Sequence, residues 1–372
     1  GAYAGSPAAI EAKARDLVPG LRTTWICDPR HARTVPPATR TLTPGTFAYG
    51  SALARSTYLV NDAAFDRRLV KRRGQVLLQT HRGTPLRTVG TDLLDRPAAA
   101  RDTDFEQLLR DVDRWDFALS ANPHSTLVRE RAYPSGYTTL EYGSPHNDVY
   151  HRAGPAEVAR LRETLSIPAG ATALLYAPAP RDYRRVQQPA LDLEQLIRVL
   201  GPQFVILDRA PGSSRTRTVT HPRIIDVTGH PSPETLALAS DALITDYASL
   251  MFDYVNLDRP VVLHLDDIEA YEAARGTYFD ITSFPPGVVA RSQDELFDIF
   301  ATDHWRGSRS AQLRAAFRAR FCPYDDGNAA ERVVRRVFLG ETDGLPLPVP
   351  PSARRAVLPT QQNTAETRVA RG

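Results

Sequence analysis

Apolar positions along this chain alternate between two periods. Ala8 to Leu17 has helical spacing and Thr23 to Cys27 is a short apolar run. A helix-like stretch then leads to a second run at Ser56 to Val60. Val76 to Gln79 and Phe117 to Ser120 read as further strands, with a helical period over Asp104 to Arg114 between them. This rhythm predicts βαβ units, a parallel sheet with helices on its faces. The stretch Ser144-Pro145-His146-Asn147-Asp148 closes the first set, and a domain boundary is expected near residue 150.

The rhythm then repeats. A helix is expected over Glu157 to Thr164, Asp192 to Val199, Pro233 to Ala239 and Ser249 to Val255. Strands are expected over Ala173 to Tyr176, Phe204 to Leu207, Arg223 to Asp226, Ala242 to Thr245 and Val261 to Leu265, giving a second doubly wound sheet. Helices at Gln293 to Phe300, Ser310 to Phe317 and Ala329 to Phe338 end the ordered part. From Glu341 the proline-rich, aperiodic sequence is expected to be a flexible tail, residues 341–372. The expected domains are therefore residues 1–150 and 151–340.

Composition narrows this picture modestly. The 372 residues are 42% hydrophobic and 24% charged, with no apolar run of the ~20 residues a bilayer span needs. Two distant cysteines, Cys27 and Cys322, without a signal segment, fit a reducing cytosol. The net charge is +3, and the first 150 residues carry 20 basic against 16 acidic side chains, so a polyanion would favour that part. Of the 46 basic residues only Lys13 and Lys71 are lysine, which reads as genomic base composition. The chain opens at Gly1-Ala2-Tyr3 and its only methionine is Met251, which reads as a processed product or a fragment and leaves room for an upstream strand. No interleaved aromatic and basic pattern asks for nucleic acid.

The strongest local signal is the run Ala242 to Asp253: a buried strand, a polar turn, then a helix whose N-cap is most simply Ser249. Such a helix start offers free N–H groups to an anion, although an ordinary capped helix reads the same way. The segment resembles the T-D-Y-S-S-x-M-F-D signature of the CDP-glycerol glycerophosphotransferases, the teichoic acid primases and polymerases. Asn256 to Pro260 is similar to that family's N-L-D-R-P. Four further blocks agree in order: Gln79 to Arg87 with T-W-H-G-T-P-L-K, Glu141 to Asp148 with E-Y-G-Y-P-R-N-D, Leu175 to Asp182 with L-Y-A-P-T-W-R-D, and Phe321 to Gly327 with F-x-x-x-D-D-G.

The resemblance, over about residues 5 to 340, implies an α/β GT-B fold: two Rossmann-like doubly wound domains facing a cleft, with the nucleotide on the second and the acceptor entering from the first. It implies transfer of glycerol phosphate from CDP-glycerol to a hydroxyl of a teichoic-acid-like acceptor, with release of CMP. The implied acceptor is a lipid-linked polyol phosphate, reached from the inner membrane surface. Another CDP-polyol or capsule-type polymer, and a catalytically impaired relative that only binds nucleotide or polyanion, remain open. No cofactor is evident, no metal-type cluster is visible, and a divalent ion on the donor phosphates would leave little trace.

Carried over by position, Ser249 would hold donor phosphates, flanked by Thr245, Asp246 and Ala248, and Asp253 would meet glycerol hydroxyls. Pro178, Ala179 and Arg181 would line the donor, with Arg181 neutralising phosphate charge. Gly83 and Thr84 would let backbone approach the phosphoryl group, and Pro85 and Arg87 of the same block would bind substrate. The chain departs from the family in several places. His81-Arg82 stands where the family has Trp-His, so the base is expected at His81, with Arg82 a phosphate ligand; a structural histidine remains the alternative. Ala248 lacks the first serine hydroxyl, Arg209 replaces a second histidine and cannot serve as a base, and His146 replaces an arginine. The other histidines, His124, His151, His221, His230, His264 and His304, read as structural. The run Arg67, Arg68, Lys71, Arg72, Arg73 reads as a solvated helix face or a polyanion contact.

Overall fold

The computed structural model describes residues 2–184, 190–209 and 221–351. Strands β1 (Thr24–Ile26) and β2 (Arg40–Leu42) pair alone. Strands β3 (Tyr58–Asn61), β4 (Val76–Gln79), β5 (Phe117–Ser120) and β6 (Thr138–Glu141) form a parallel sheet in chain order. The second parallel sheet contains β7 (Thr172–Tyr176), β8 (Phe204–Asp208), β9 (Ile224–Asp226), β10 (Ala242–Thr245), β11 (Val261–His264) and β12 (Val288–Ala290). Its order is β12-β11-β10-β7-β8-β9. The winding direction reverses between β7 and β10, and a ligand of an open α/β sheet binds outside the carboxyl ends of the strands at such a point.

These strands are continuous apolar runs because helices cover both faces of a parallel sheet. Leu174 and Leu175, adjacent in β7, are both buried, yet they pack into separate clusters on opposite faces. Three strands, β2, β6 and β12, were not expected; their burial is partial in places, and neither β2 nor β6 reads as a continuous apolar run.

The last residues of the expected second domain, 151–340, pack on the first sheet. The helix Ala329–Val333 and the π-turn Val334–Phe338 return to the first sheet, where Val333, Val334 and Val337 pack with Ile10, Leu78, Leu119 and Tyr142. Each buried valine contributes about 1.5–3 kcal/mol. The Asp148 carboxylate fixes the start of this helix by accepting from the Ala329 and Ala330 N–H groups, both at 2.9 Å. The expected tail also begins later than residue 341: Val349 pairs with Thr139 on β6 through hydrogen bonds of 3.0 and 2.9 Å. Residues 352–372 of that tail lie outside the described residues.

The two sheets are joined a second time by the segment after β4. Leu86 lies in the core of the second sheet's half. The Thr88 N–H donates to Gly276 O (3.1 Å) and the Tyr278 N–H to Leu86 O (2.8 Å). Gly276 has φ +73°, and a Cβ there would fall 2.8 Å from Thr88 Oγ1, so glycine permits the close approach.

Candidate active site

The expected site residues come from the carboxyl ends of β4, β7, β8 and β10 and from the connection between the sheets. Several are used internally. Asp246 is buried and accepts from the Ala179 N–H (2.7 Å), the Tyr247 N–H (2.6 Å) and Arg181 Nη1 (2.7 Å). Arg181 also grips Asp267 at 2.9 Å through both Nε and Nη2, with its guanidinium over the Tyr247 and Tyr271 rings. The Thr245 hydroxyl donates to Ala177 O at 2.7 Å. Thr245, Asp246, Ala179 and Arg181 thus tie β7 to β10, and the Arg181 charge expected to meet donor phosphate meets two carboxylates here. Pro178 is partly exposed beside this knot, and Ala248 is partly buried against the core.

The expected base, His81, has its ring packed among aromatic side chains. His81 adopts a left-handed φ of +56°, which turns its ring between Trp115 (5.4 Å) and Tyr133 (5.5 Å). Burial pushes its pKa well down, with the Arg129 charge adding, and Nε2 is buried without a hydrogen bond among the described residues. Arg82 points outward and is held at both ends by Asp62 at 3.0 and 3.2 Å.

What the two halves bring together is Gly83, Ser249 and Asp253. Gly83 has φ +66°; a Cβ there would meet Ser249 Oγ at 3.3 Å and Asp253 Oδ2 at 3.4 Å. The Gly83 carbonyl accepts from Arg129, which also holds Leu119 O at 2.7 Å; burial pulls that guanidinium down to about 10. The Thr84 hydroxyl is buried and accepts from Asn122 Nδ2 (2.8 Å), while Pro85 O is hydrogen-bonded by His124 Nε2 (2.9 Å). Arg129, Asn122 and His124 therefore shape the loop from beneath. Ser249 stands at the N-cap position as expected, but with helical backbone angles and no side-chain cap bond, which leaves its hydroxyl facing Gly83.

Asp253 is 8% exposed, and its Oδ1 accepts from His146 Nε2 (3.1 Å) and Asn147 Nδ2 (3.1 Å). His146 Nδ1 reaches the Ser6 hydroxyl at 2.8 Å. Burial acts to lower the His146 pKa, but the Asp253 carboxylate, with Glu234 and Asp325 behind it, prevails and pushes it up to about 9. Histidine here keeps a positive charge, as the arginine it replaces would.

Next to this group lie Arg209, which the sequence named, and further residues that it did not single out. Asn147 Oδ1, Tyr150 Oη and Arg209 Nε are buried without hydrogen-bond partners among the described residues. The Glu234 charge acts on Tyr150, Arg209 and His146 alike. Burial lowers the Arg209 pKa and Glu234 opposes it. Only Arg209 and His146 carried a motif signal; Tyr150 and Glu234 become neighbours when helix Asp148–Arg152 packs on helix Pro233–Ala239. Arg87 lies apart, with Nη1 3.6 Å from Asp182 Oδ2. The basic run 67–73 is turn and coil rather than helix: Arg68 pairs with Asp66, Lys71 with Asp116, and Arg72 donates to the carbonyls of Ala54, Arg55 and Ser56.

The family described as CDP-Glycerol:Poly(glycerophosphate) glycerophosphotransferase matches residues 1–339. A teichoic acid glycerol-phosphate transferase of Staphylococcus aureus (strain NCTC 8325 / PS 47) is 31% identical over 274 residues, covering 70% of this chain and 70% of its own length. A teichoic acid poly(glycerol phosphate) polymerase of Bacillus subtilis (strain 168) is 29% identical over 303 residues, covering 78% of this chain but only 41% of the polymerase. A variant of the wall teichoic acid polymerase TagF, soaked with CDPG, superposes with TM-score 0.81 at 28% identity over 91% of this chain and 86% of that one. The fold is therefore of the TagF, GT-B type, and the chain belongs to the CDP-glycerol:poly(glycerophosphate) glycerophosphotransferase family.

Proposed function

We infer that this chain transfers glycerol phosphate from CDP-glycerol to a hydroxyl of a poly(glycerol phosphate) acceptor. The acceptor oxygen bonds to the phosphorus bearing the glycerol, the bond from that phosphorus to the bridging oxygen breaks, and CMP leaves with the electron pair. Such a step depends on positioning and on charge stabilisation more than on covalent help from the protein. The observation that carries the reading is the convergence of Gly83, Ser249 and Asp253 from opposite halves of the molecule.

In this reading the Ser249 hydroxyl and the backbone around Gly83 hold the transferred phosphoryl group. The cationic His146 balances charge beside it. Arg209, Tyr150 and Glu234 face the nucleotide portion of the donor. Asp253 Oδ2, 3.4 Å from where a Cβ on Gly83 would stand, takes the acceptor proton in place of His81, whose ring is committed to Trp115 and Tyr133. The acceptor is lipid-linked, and contact with the membrane surface is peripheral. Phe47 and Val70, 93% and 86% exposed, support that contact, as do the exposed Arg67 and Arg73 that flank Val70 in sequence. Among the described residues no helix is long and apolar enough to cross a membrane.

The test is CMP release from CDP-glycerol by the purified chain, with and without a glycerol phosphate oligomer, with CDP-ribitol as a parallel donor. Acceptor-dependent CMP from CDP-glycerol is expected. Release from CDP-ribitol alone, or from neither, would overturn the reading.

A further inference from the structure

Beyond the reacting group, a cluster of arginines gathers on one carboxylate at the second joint between the halves. Asp182 Oδ2 lies 3.6 Å from Arg87 Nη1, supplied by the first half, and 3.4 Å from Arg275 Nε, supplied by the second. Arg101 Nη2 reaches the Asp182 backbone carbonyl at 3.5 Å. Two guanidinium groups thus share a single acidic side chain, with a third on the backbone of the same residue, and neither ion pair has the short bidentate form that arginine makes with a committed partner. Arg181, by contrast, meets its two carboxylates at 2.7 to 2.9 Å.

Arg275 is 6% exposed, and its Nε forms no hydrogen bond among the described residues although Asp182 is near. Burial lowers the Arg275 pKa; Asp182 opposes this and the Arg87 charge adds to it. The charges of Arg87 and Arg275 both reach Tyr133 and Tyr271, which places the cluster between the two halves. Two buried or half-buried cations sharing one half-exposed anion leave positive charge over, and the arginine fork suits an oxyanion with several acceptor oxygens. A phosphodiester offers two.

We propose that Arg87 and Arg275, with Arg101 at the rim, bind an internal phosphodiester of the acceptor chain, whose oxygens take the position Asp182 now holds. Arg87 follows Gly83 by four residues, at most about 14 Å of extended backbone. That separation suits a phosphate more than one glycerol-phosphate unit behind the reacting hydroxyl. The proposal rests on the transferase reading, and it makes the site a gauge of acceptor length: a single glycerol phosphate cannot fill it, whereas an oligomer can.

The experiment measures calorimetric affinity of the intact chain for a synthetic six-unit poly(glycerol phosphate) and for sn-glycerol 3-phosphate, in the parent, Arg275→Gln and Asp182→Asn. Losing one charged donor pair should weaken hexamer binding tenfold or more in Arg275→Gln, while the monomer changes less than twofold. Removing the competing carboxylate in Asp182→Asn should strengthen hexamer binding severalfold; this variant carries the test if Arg275→Gln melts early. Phosphatidylglycerol vesicles form a parallel arm in which the variants should match the parent. Equal hexamer affinity in all three proteins, an equal loss for hexamer and monomer, or a change confined to vesicles would each overturn the proposal. CMP release in the same samples separates the two readings. Release with hexamer affinity indifferent to Arg275 refutes only the subsite, and Arg275-dependent hexamer binding without release refutes only the transfer.

Discussion

Raising the pH should cost this protein stability through His146, and the loss should vanish in His146→Gln. His146 Nε2 contacts Asp253 Oδ1, Nδ1 contacts Ser6, and Glu234 and Asp325 add negative charge around it. Its pKa is pushed from 6.5 to about 9 in the folded chain, and at 1.36 kcal/mol per unit this amounts to at most about 3 kcal/mol. Because the folded value is the higher one, the contribution is complete below about pH 6.5 and is lost as pH rises through about 9, with a limiting slope near 1.4 kcal/mol per pH unit. The assay is urea unfolding followed by circular dichroism at intervals from pH 6 to 10, with His146→Gln subtracted from the parent to remove every other titrating group. The difference should shrink steadily toward high pH. A constant difference across the range would mean that Asp253 does not hold the imidazole charged and would refute the reasoning.

Gly83→Ala should lower kcat at least tenfold and stability by about 1–2 kcal/mol, because alanine is strained at φ +66° and its methyl would crowd Ser249 and Asp253; steady-state CMP release and a melting curve read both. His81→Asn, which tolerates the left-handed backbone, should keep kcat within a few-fold and leave the pH–rate profile unshifted; a collapse of kcat would restore histidine as the base. Arg129→Met leaves the Leu119 and Gly83 carbonyls without their donor, and should reduce stability by about 2–4 kcal/mol in denaturant titration.

The order of blocks from Gln79 to Gly327 made the family and the doubly wound sheets legible, because buried parallel strands such as β7 and β10 write themselves as apolar runs. Motif position conveyed which loops meet, but not which side chains face the gap. Arg181 and Asp246 look like ligands in sequence, and only the fold shows that each neutralises the other at the ends of adjacent strands. His81 turns away because of a single left-handed residue, which no periodicity records. Tyr150 and Glu234 belong to separate helices, and the return of residues 329–349 to the first sheet depends on long-range packing that local pattern does not encode.

The two joints between the halves have a kinematic consequence. A rigid body held at two separated points keeps one rotation, about the line through them. One joint is the connection through His146, Asn147 and Asp148 with the returning helix; the other is the pairing of Leu86 and Thr88 with Gly276 and Tyr278. Asp253 bonds directly to the first joint, and Gly83 is three residues from the start of the second. Gly83 and Asp253 thus both sit close to the axle, where a turn that swings the outer rims widely moves the gap between them very little.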